Sequence, residues 1–358
     1  DLSIERISAA VVAVLVTVFA WLSAVRVSTD HQELEVLASR DALTGLPNRR
    51  MMEQVLEDAM RTPWTGVGTA LVTPFTQGGV VDEAGVRRLA RRQIDAGVHF
   101  LVPCGTTGET PTLSDIERRR VVELVVEVAA GKVPVMAGAG GYSTTEVVHA
   151  ARAMQQAGAT GLLSVTPYYN KPTPEGLFQH FSAVADATPL PIVLYNVPGR
   201  TGCNMDAATV ARLATLPTIV GVKEASGNIQ QMAEILRATP DDFLVLSGDD
   251  AITLPLMAIG GRGIISVASN EIPAEMVQMV EAAERGNFES ARALHRRWLP
   301  LLLVNFIESN PGPVKFAMAA MGLCEEVYRL PMVPPRPASK EKVLAVLTEL
   351  GIVETAVG

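Results

Sequence analysis

A chain of 358 residues, 48% of them hydrophobic and 19% charged, can bury a large core without disulfide or metal staples. Thirty basic against 38 acidic residues leave a formal net charge of −8, which gives no electrostatic footprint for DNA or RNA. Three well-separated cysteines (Cys104, Cys203, Cys324) read as reduced thiols of a cytosolic protein, and the five histidines show no zinc-ligand spacing. The first predicted element is the run 7–25, free of charge and bracketed by Arg6 and Arg26. As a helix it spans roughly 28 Å, close to the hydrocarbon thickness of a bilayer. It is longer than a signal-peptide core and lacks the polar stripe of a helix docked on a globular domain, so its length reads as a transmembrane helix. Trp21 suits an interfacial position, and Arg26, Arg40, Arg49, Arg50 and Arg61 follow the run while only Arg6 precedes it. That bias places everything after Val25 in the cytoplasm, anchored to the inner membrane by residues 7–25.

After a polar helical stretch comes Arg40-Asp41-Ala42-Leu43-Thr44-Gly45-Leu46-Pro47-Asn48-Arg49-Arg50. This string resembles the entry segment of bacterial diguanylate cyclase (GGDEF) domains, where it joins a membrane or sensor helix to the catalytic domain. The resemblance covers about 25 residues, and no nucleotide-binding signature follows it. Residues 1–62 therefore read as an apolar helix plus a truncated cyclase-like linker fused to another protein. Met51, Met52, Val55, Leu56, Ala59 and Met60 form one apolar helical face that needs a surface to cover it.

From Trp64 onward, short apolar runs alternate with amphipathic stretches. Strands are predicted at 68–75, 100–105, 133–138, 161–168, 191–197, 219–225, 243–248 and 263–268. Helices such as 83–96, 115–130, 145–157, 174–187 and 274–285 lie between them. Continuous apolar runs fit parallel strands covered on both faces, and eight strand–helix alternations point to a (β/α)8 TIM barrel over 63–285. A doubly wound open sheet is the alternative, but it ordinarily carries a phosphate loop. Gly138-Ala139-Gly140-Gly141 lacks that spacing and reads as a tight turn. Residues 286–358 read as C-terminal helices packed on the barrel.

Reactive groups in such barrels sit where the strands end. Lys223 lies among apolar neighbours in the sixth strand, where burial lowers an ammonium pKa and frees the amine to attack a carbonyl. The alternative is a lysine snorkelling from a strand edge. Three of the five tyrosines (Tyr168, Tyr169, Tyr195) fall at adjacent strand ends. A lone phenol is a weak base at neutral pH, but Tyr195 hydrogen-bonded to Thr106 and a second phenol could pass a proton in stages; ordinary aromatic packing is the competing account. Arg200, in a Pro/Gly turn, offers a two-pronged clamp for a carboxylate, and Thr106 and Thr107 between glycines offer hydroxyls and close backbone N–H groups for another.

Residues 63–358 resemble the dihydrodipicolinate synthase (4-hydroxy-tetrahydrodipicolinate synthase) family of pyruvate-dependent class I aldolases. The resemblance rests on Gly68-Thr69-Ala70-Leu71-Val72-Thr73-Pro74-Phe75, the Gly105-Thr106-Thr107-Gly108-Glu109 loop, Tyr168-Tyr169-Asn170-Lys171-Pro172, Tyr195-Asn196-Val197-Pro198 and the Lys223 strand, in order and at family spacing. It implies a lyase that joins pyruvate to aspartate 4-semialdehyde, giving 4-hydroxy-tetrahydrodipicolinate for diaminopimelate and lysine biosynthesis. It implies a Schiff base between pyruvate and Lys223 with no other cofactor. It makes Tyr195, aided by Thr106 and Tyr169, the proton-transfer group. Thr107 and Ile265 would contact pyruvate, and Arg200 would hold the carboxylate of the second substrate. N-acetylneuraminate lyases and 2-keto-3-deoxy sugar acid aldolases are the alternatives within the group, and the former usually lack an arginine at the position of Arg200. The resemblance further implies a homotetramer in which Tyr169 reaches a neighbouring subunit's site. A tetramer of D2 symmetry points its N-termini in different directions, which conflicts with four anchors in one flat membrane. Family members inhibited by lysine bind it at positions matching Thr110, Pro111, Asp115, Arg118, Tyr142, Glu146 and Tyr168. The family's histidines and small amide are replaced here by Asp115, Arg118 and Tyr142, so lysine feedback is expected to be weak.

Overall fold

The computed structural model describes residues 63–354; the predicted membrane helix and cyclase-like linker lie outside the described residues. Eight parallel strands form the centre: β1 (Gly66–Ala70), β2 (Phe100–Val102), β3 (Met136–Gly138), β4 (Gly161–Val165), β5 (Ile192–Asn196), β6 (Ile219–Glu224), β7 (Leu244–Ser247) and β8 (Gly263–Ser266). They run in the order β2-β1-β8-β7-β6-β5-β4-β3, and a parallel bridge from Leu101 to Val135 links β2 to the segment leading into β3. The sheet therefore closes into a (β/α)8 barrel, as the eightfold alternation predicts.

The surrounding helices are α1 (Glu83–Asp95), α2 (Asp115–Ala129), α3 (Thr144–Gln156), α4 (Pro174–Ala187), α5 (Pro198–Thr201), α6 (Ala207–Leu213), α7 (Ile229–Ala238), α8 (Thr253–Ala258) and α9 (Pro273–Glu284). Their starts are written in the sequence. Ser114 opens α2 with a capping box: its hydroxyl accepts from the Glu117 N–H while the Glu117 carboxylate accepts from the Ser114 N–H. Three more helices follow the barrel: α10 (Phe288–Val304), α11 (Gly312–Ala320) and α12 (Pro337–Glu349). Among the described residues, no helix is long and apolar enough to cross a membrane.

Inside the barrel, Trp64, Phe100, Met136, Leu163, Val193 and Leu244 fill the axis, with Trp64 edge-on to Phe100 at 5.6 Å between ring centres. Gly68 makes that filling possible, because a Cβ there would lie 2.0 Å from the Phe100 ring. A larger apolar layer lies between the barrel wall and the helices. Several strands are shorter than their apolar runs. The first run extends to Phe75, yet β1 ends at Ala70, because the Val72 N–H turns to the Asn270 side chain at 3.1 Å. Val72 then packs with Val314 and Met318 of α11, so hydrophobicity continues past the ladder. The second run breaks after Val102, where Cys104 takes a positive φ of 58°.

Candidate active site

Strands β5 and β6 set the central pair of side chains. Tyr195 and Lys223 are direct partners in the parallel ladder, and alternation points both into the barrel. Lys223 is only 5% exposed, and its Nζ lies 4.5 Å from the centre of the Tyr195 ring. Burial pushes its ammonium down to about 7; the Asp250 carboxylate works against that fall, and the Arg200 guanidinium adds to it. A glycine makes room for the lysine stem: a Cβ on Gly248 would stand 3.0 Å from Lys223 Cε. Near neutral pH much of this amine is unprotonated and able to attack a carbonyl.

The Tyr195 phenol is buried and hydrogen-bonded to the Thr106 side chain. Burial raises its pKa, while the Arg200 charge and the Thr106 contact pull the other way. Thr106 and Thr107 belong to a one-turn 3-10 helix after β2. The Thr107 hydroxyl accepts from Asn310 Nδ2 at 3.0 Å, and Arg200 on α5 donates to the Asn310 carbonyl at 3.1 Å. Asn310 thus ties the β2 turn and the β5 turn to the segment between α10 and α11. Thr106, Thr107, Tyr195, Arg200 and Lys223 all line one cavity of about 180 Å³.

Two expected site residues do not line this cavity. Ile265 is fully buried in the apolar cluster of the barrel interior that also holds Tyr195 and Leu246, and does not line the cavity. Tyr169 follows β4 with φ of 70° and stands 92% exposed, outside the cavity of its own chain. The structure also adds residues that the sequence reading passed over. Asp250 is buried after β7, accepting from Ser266 Oγ at 2.5 Å and from the Val267 and Ala268 N–H groups. Burial pushes its carboxyl up to about 6. Its signal was present as an Asp-Asp pair at the end of an apolar strand. Phe306 and Asn310, unlike Asp250, line the cavity, but they come from the chain beyond the barrel, where strand-end reasoning does not look.

One small cavity thus holds a buried, readily neutralised amine, a phenol hydrogen-bonded to a threonine and a guanidinium. The dihydrodipicolinate synthetase family matches residues 63–350. This chain belongs to that family. The 4-hydroxy-tetrahydrodipicolinate synthase of Koribacter versatilis is 52% identical over 292 residues, covering 81% of this chain and 97% of the relative. The dihydrodipicolinate synthase of Thermotoga maritima superposes with a TM-score of 0.80 at 44% identity, covering 82% of this chain and 100% of that structure. The enzyme of Cyanidioschyzon merolae, solved with lysine bound, gives a TM-score of 0.80 at 42% identity, with coverage of 82% and 100%. Dihydrodipicolinate synthetase membership thus covers the barrel and the C-terminal helices, and the cyclase-like segment falls outside the matched residues.

Proposed function

We propose that this chain is a Schiff-base lyase that condenses pyruvate with aspartate 4-semialdehyde to 4-hydroxy-tetrahydrodipicolinate, a step toward diaminopimelate and lysine. The observation that carries the reading is the buried Lys223 amine, depressed to about 7 and set against Tyr195 at the mouth of a barrel whose relatives are named for this activity. Lys223 attacks the ketone carbon of pyruvate, and loss of water leaves a protonated imine that acts as an electron sink. Removal of a methyl proton, relayed through Tyr195 and Thr106, gives the enamine. The enamine carbon bonds to the aldehyde carbon of the second substrate, whose oxygen takes a proton. The substrate amine then attacks the imine carbon, closes the ring and releases Lys223. No external cofactor enters this sequence.

Thr107 lines the cavity and suits the pyruvate carboxylate, and Arg200 suits the carboxylate of the aldehyde. Arg200 favours the synthase over the N-acetylneuraminate lyase alternative. Ile265 does not line the cavity, and its proposed contact with pyruvate rests on its place in the same buried apolar cluster as Tyr195. Tyr169 acts in a neighbouring subunit of a homotetramer, consistent with its exposure here. For residues 7–25 the uncharged length supports an inner-membrane anchor with the barrel on the cytoplasmic side, a reading that holds for a dimer and gives way to the barrel's own assembly if the chain is a D2 tetramer.

The test is borohydride reduction in the presence of pyruvate, read by intact mass. The wild-type chain should gain one reduced pyruvate adduct and Lys223→Ala none; an adduct on Lys223→Ala at the wild-type level refutes the assignment. NADPH consumption by a coupled reductase, dependent on both substrates, reports the condensation itself.

A further inference from the structure

The side chains one position beyond Tyr195 and Lys223 form a second network, on the opposite face of the same two strands. Asn196 and Glu224 are direct partners in the β5–β6 ladder, and both are fully buried. Because alternation turns them outward, they lie between the barrel wall and the helices and touch no substrate. The Asn196 amide donates to Glu224 Oε2 at 2.9 Å and to Asn204 Oδ1 at 2.9 Å, and its own oxygen accepts from the Met205 N–H at 2.9 Å. Glu224 Oε1 accepts from the Ser226 N–H at 2.7 Å, and Oε2 also accepts from Gln231 of α7 at 3.2 Å. Asn204 and Gln231 bond to each other, closing the cluster.

Two features separate this cluster from ordinary helix packing. Its only carboxylate has no cationic side chain within ion-pair distance among the described residues. Burying such a group on neutral donors is a poor route to stability, since an apolar replacement often serves as well. The cluster also joins the segments that carry three of the five cavity groups. Asn196 follows Tyr195, and Glu224 follows Lys223. Asn204 and Met205 follow the turn of Arg200, whose helix is locked to Cys203 by Thr201 Oγ1 at 2.8 Å.

We propose that Glu224, with Asn196 and Asn204, is a positioning residue that fixes Lys223, Tyr195 and Arg200 relative to one another during imine and enamine chemistry. This rests on Lys223 being the imine-forming residue. In Glu224→Gln one acceptor oxygen becomes an NH2 group that faces either the Asn196 and Gln231 donors or the Ser226 N–H, so the cluster must open with little change in volume. Displacement of a reacting group by about 1 Å is enough to lose roughly a hundredfold in rate.

The experiment compares wild type, Glu224→Gln and Asn204→Ala. Borohydride trapping with saturating pyruvate counts the competent sites, the coupled assay gives kcat per trapped site, and thermal unfolding reports stability. Asn204 is exposed, so its truncation keeps the test open if Glu224→Gln folds poorly. Glu224→Gln should lower kcat per trapped site about ten- to a hundredfold, with a smaller change in KM for pyruvate. Asn204→Ala should shift the same quantity in the same direction by less. Wild-type kcat per trapped site in both variants, whatever their melting temperatures, overturns the positioning role and leaves the imine reading standing. A wild-type chain that traps no pyruvate overturns both.

Discussion

Lys223 concentrates the conflict between folding and chemistry in one side chain. Its pKa falls from 10.5 in a free side chain to about 7 in the fold, so the unfolded chain binds the proton more tightly between those values. Stability from this position therefore rises as pH climbs from about 7 toward 10.5, and the penalty is largest below about 7. Lys223→Met should raise the thermal midpoint at neutral pH, a gain of about 2–4 kcal/mol that shrinks as pH climbs from about 7 toward 10.5; melting curves across that range check it. The same titration governs activity, since only the neutral amine attacks. The trapping rate should rise with pH through about 7. The charges that bias this titration are Asp250 beyond β7, which holds the lysine pKa up, and Arg200 on α5, which lowers it. Asp250→Asn should accordingly move the acid limb of the trapping rate to lower pH; a move to higher pH would contradict the assignment. Below about pH 6 the wild-type Asp250 carboxyl itself protonates, so the two limbs should converge there.

At the scale of elements, the barrel was legible because parallel strands covered on both faces are continuous apolar runs. Lys223 stood out because a charge interrupts one of them. The supports of the site were not legible in this way. Glu224 and Asn196 face outward and find partners in a loop and a helix, so no local period marks them. Glu109 sits in the recognisable Gly105–Glu109 loop, yet its partner Lys315 lies 206 positions away on α11. Both side chains are fully buried at 2.6 Å, with the lysine over the Phe75 ring at 4.1 Å and the Arg329 N–H on the other carboxylate oxygen. This pair fastens the C-terminal helices to the loop that holds Thr106 and Thr107. Lys315→Met alone strands a buried carboxylate and should destabilise the fold by about 3–5 kcal/mol in chemical denaturation, while adding Glu109→Gln should return much of the loss. The positions matched to lysine binding are joined by one local pair and one contact between loops. Arg118 pairs with Asp115, and Tyr142 meets Tyr168 edge-on at 5.4 Å. With the histidines and small amide of the matched site replaced by Asp115, Arg118 and Tyr142, sub-millimolar lysine should leave the coupled assay unchanged; half-inhibition in that range would show a working site.

For the whole molecule, the telling residue is Tyr169. It follows β4 on the same rim as the cavity, but its side chain is almost wholly in solvent, and an aromatic ring that exposed gains nothing for its own chain. Ile116 at 81% and Tyr142 at 51% exposure are the other large apolar side chains left open on the segments after β2 and β3. A second copy lying against these segments would cover them and could bring Tyr169 to a site it does not reach alone, which makes the oligomer part of the chemistry. The prediction is complementation. Lys223→Ala and Tyr169→Phe chains should each be nearly inactive alone. Refolded together as mixed oligomers, they bring an intact Lys223 and a partner's intact Tyr169 to one site in each mixed pair. Random pairing makes half the pairs mixed, so about a quarter of wild-type activity should return. If Tyr169 served its own chain, every site in the mixture would carry one lesion and activity would stay at the average of the two variants.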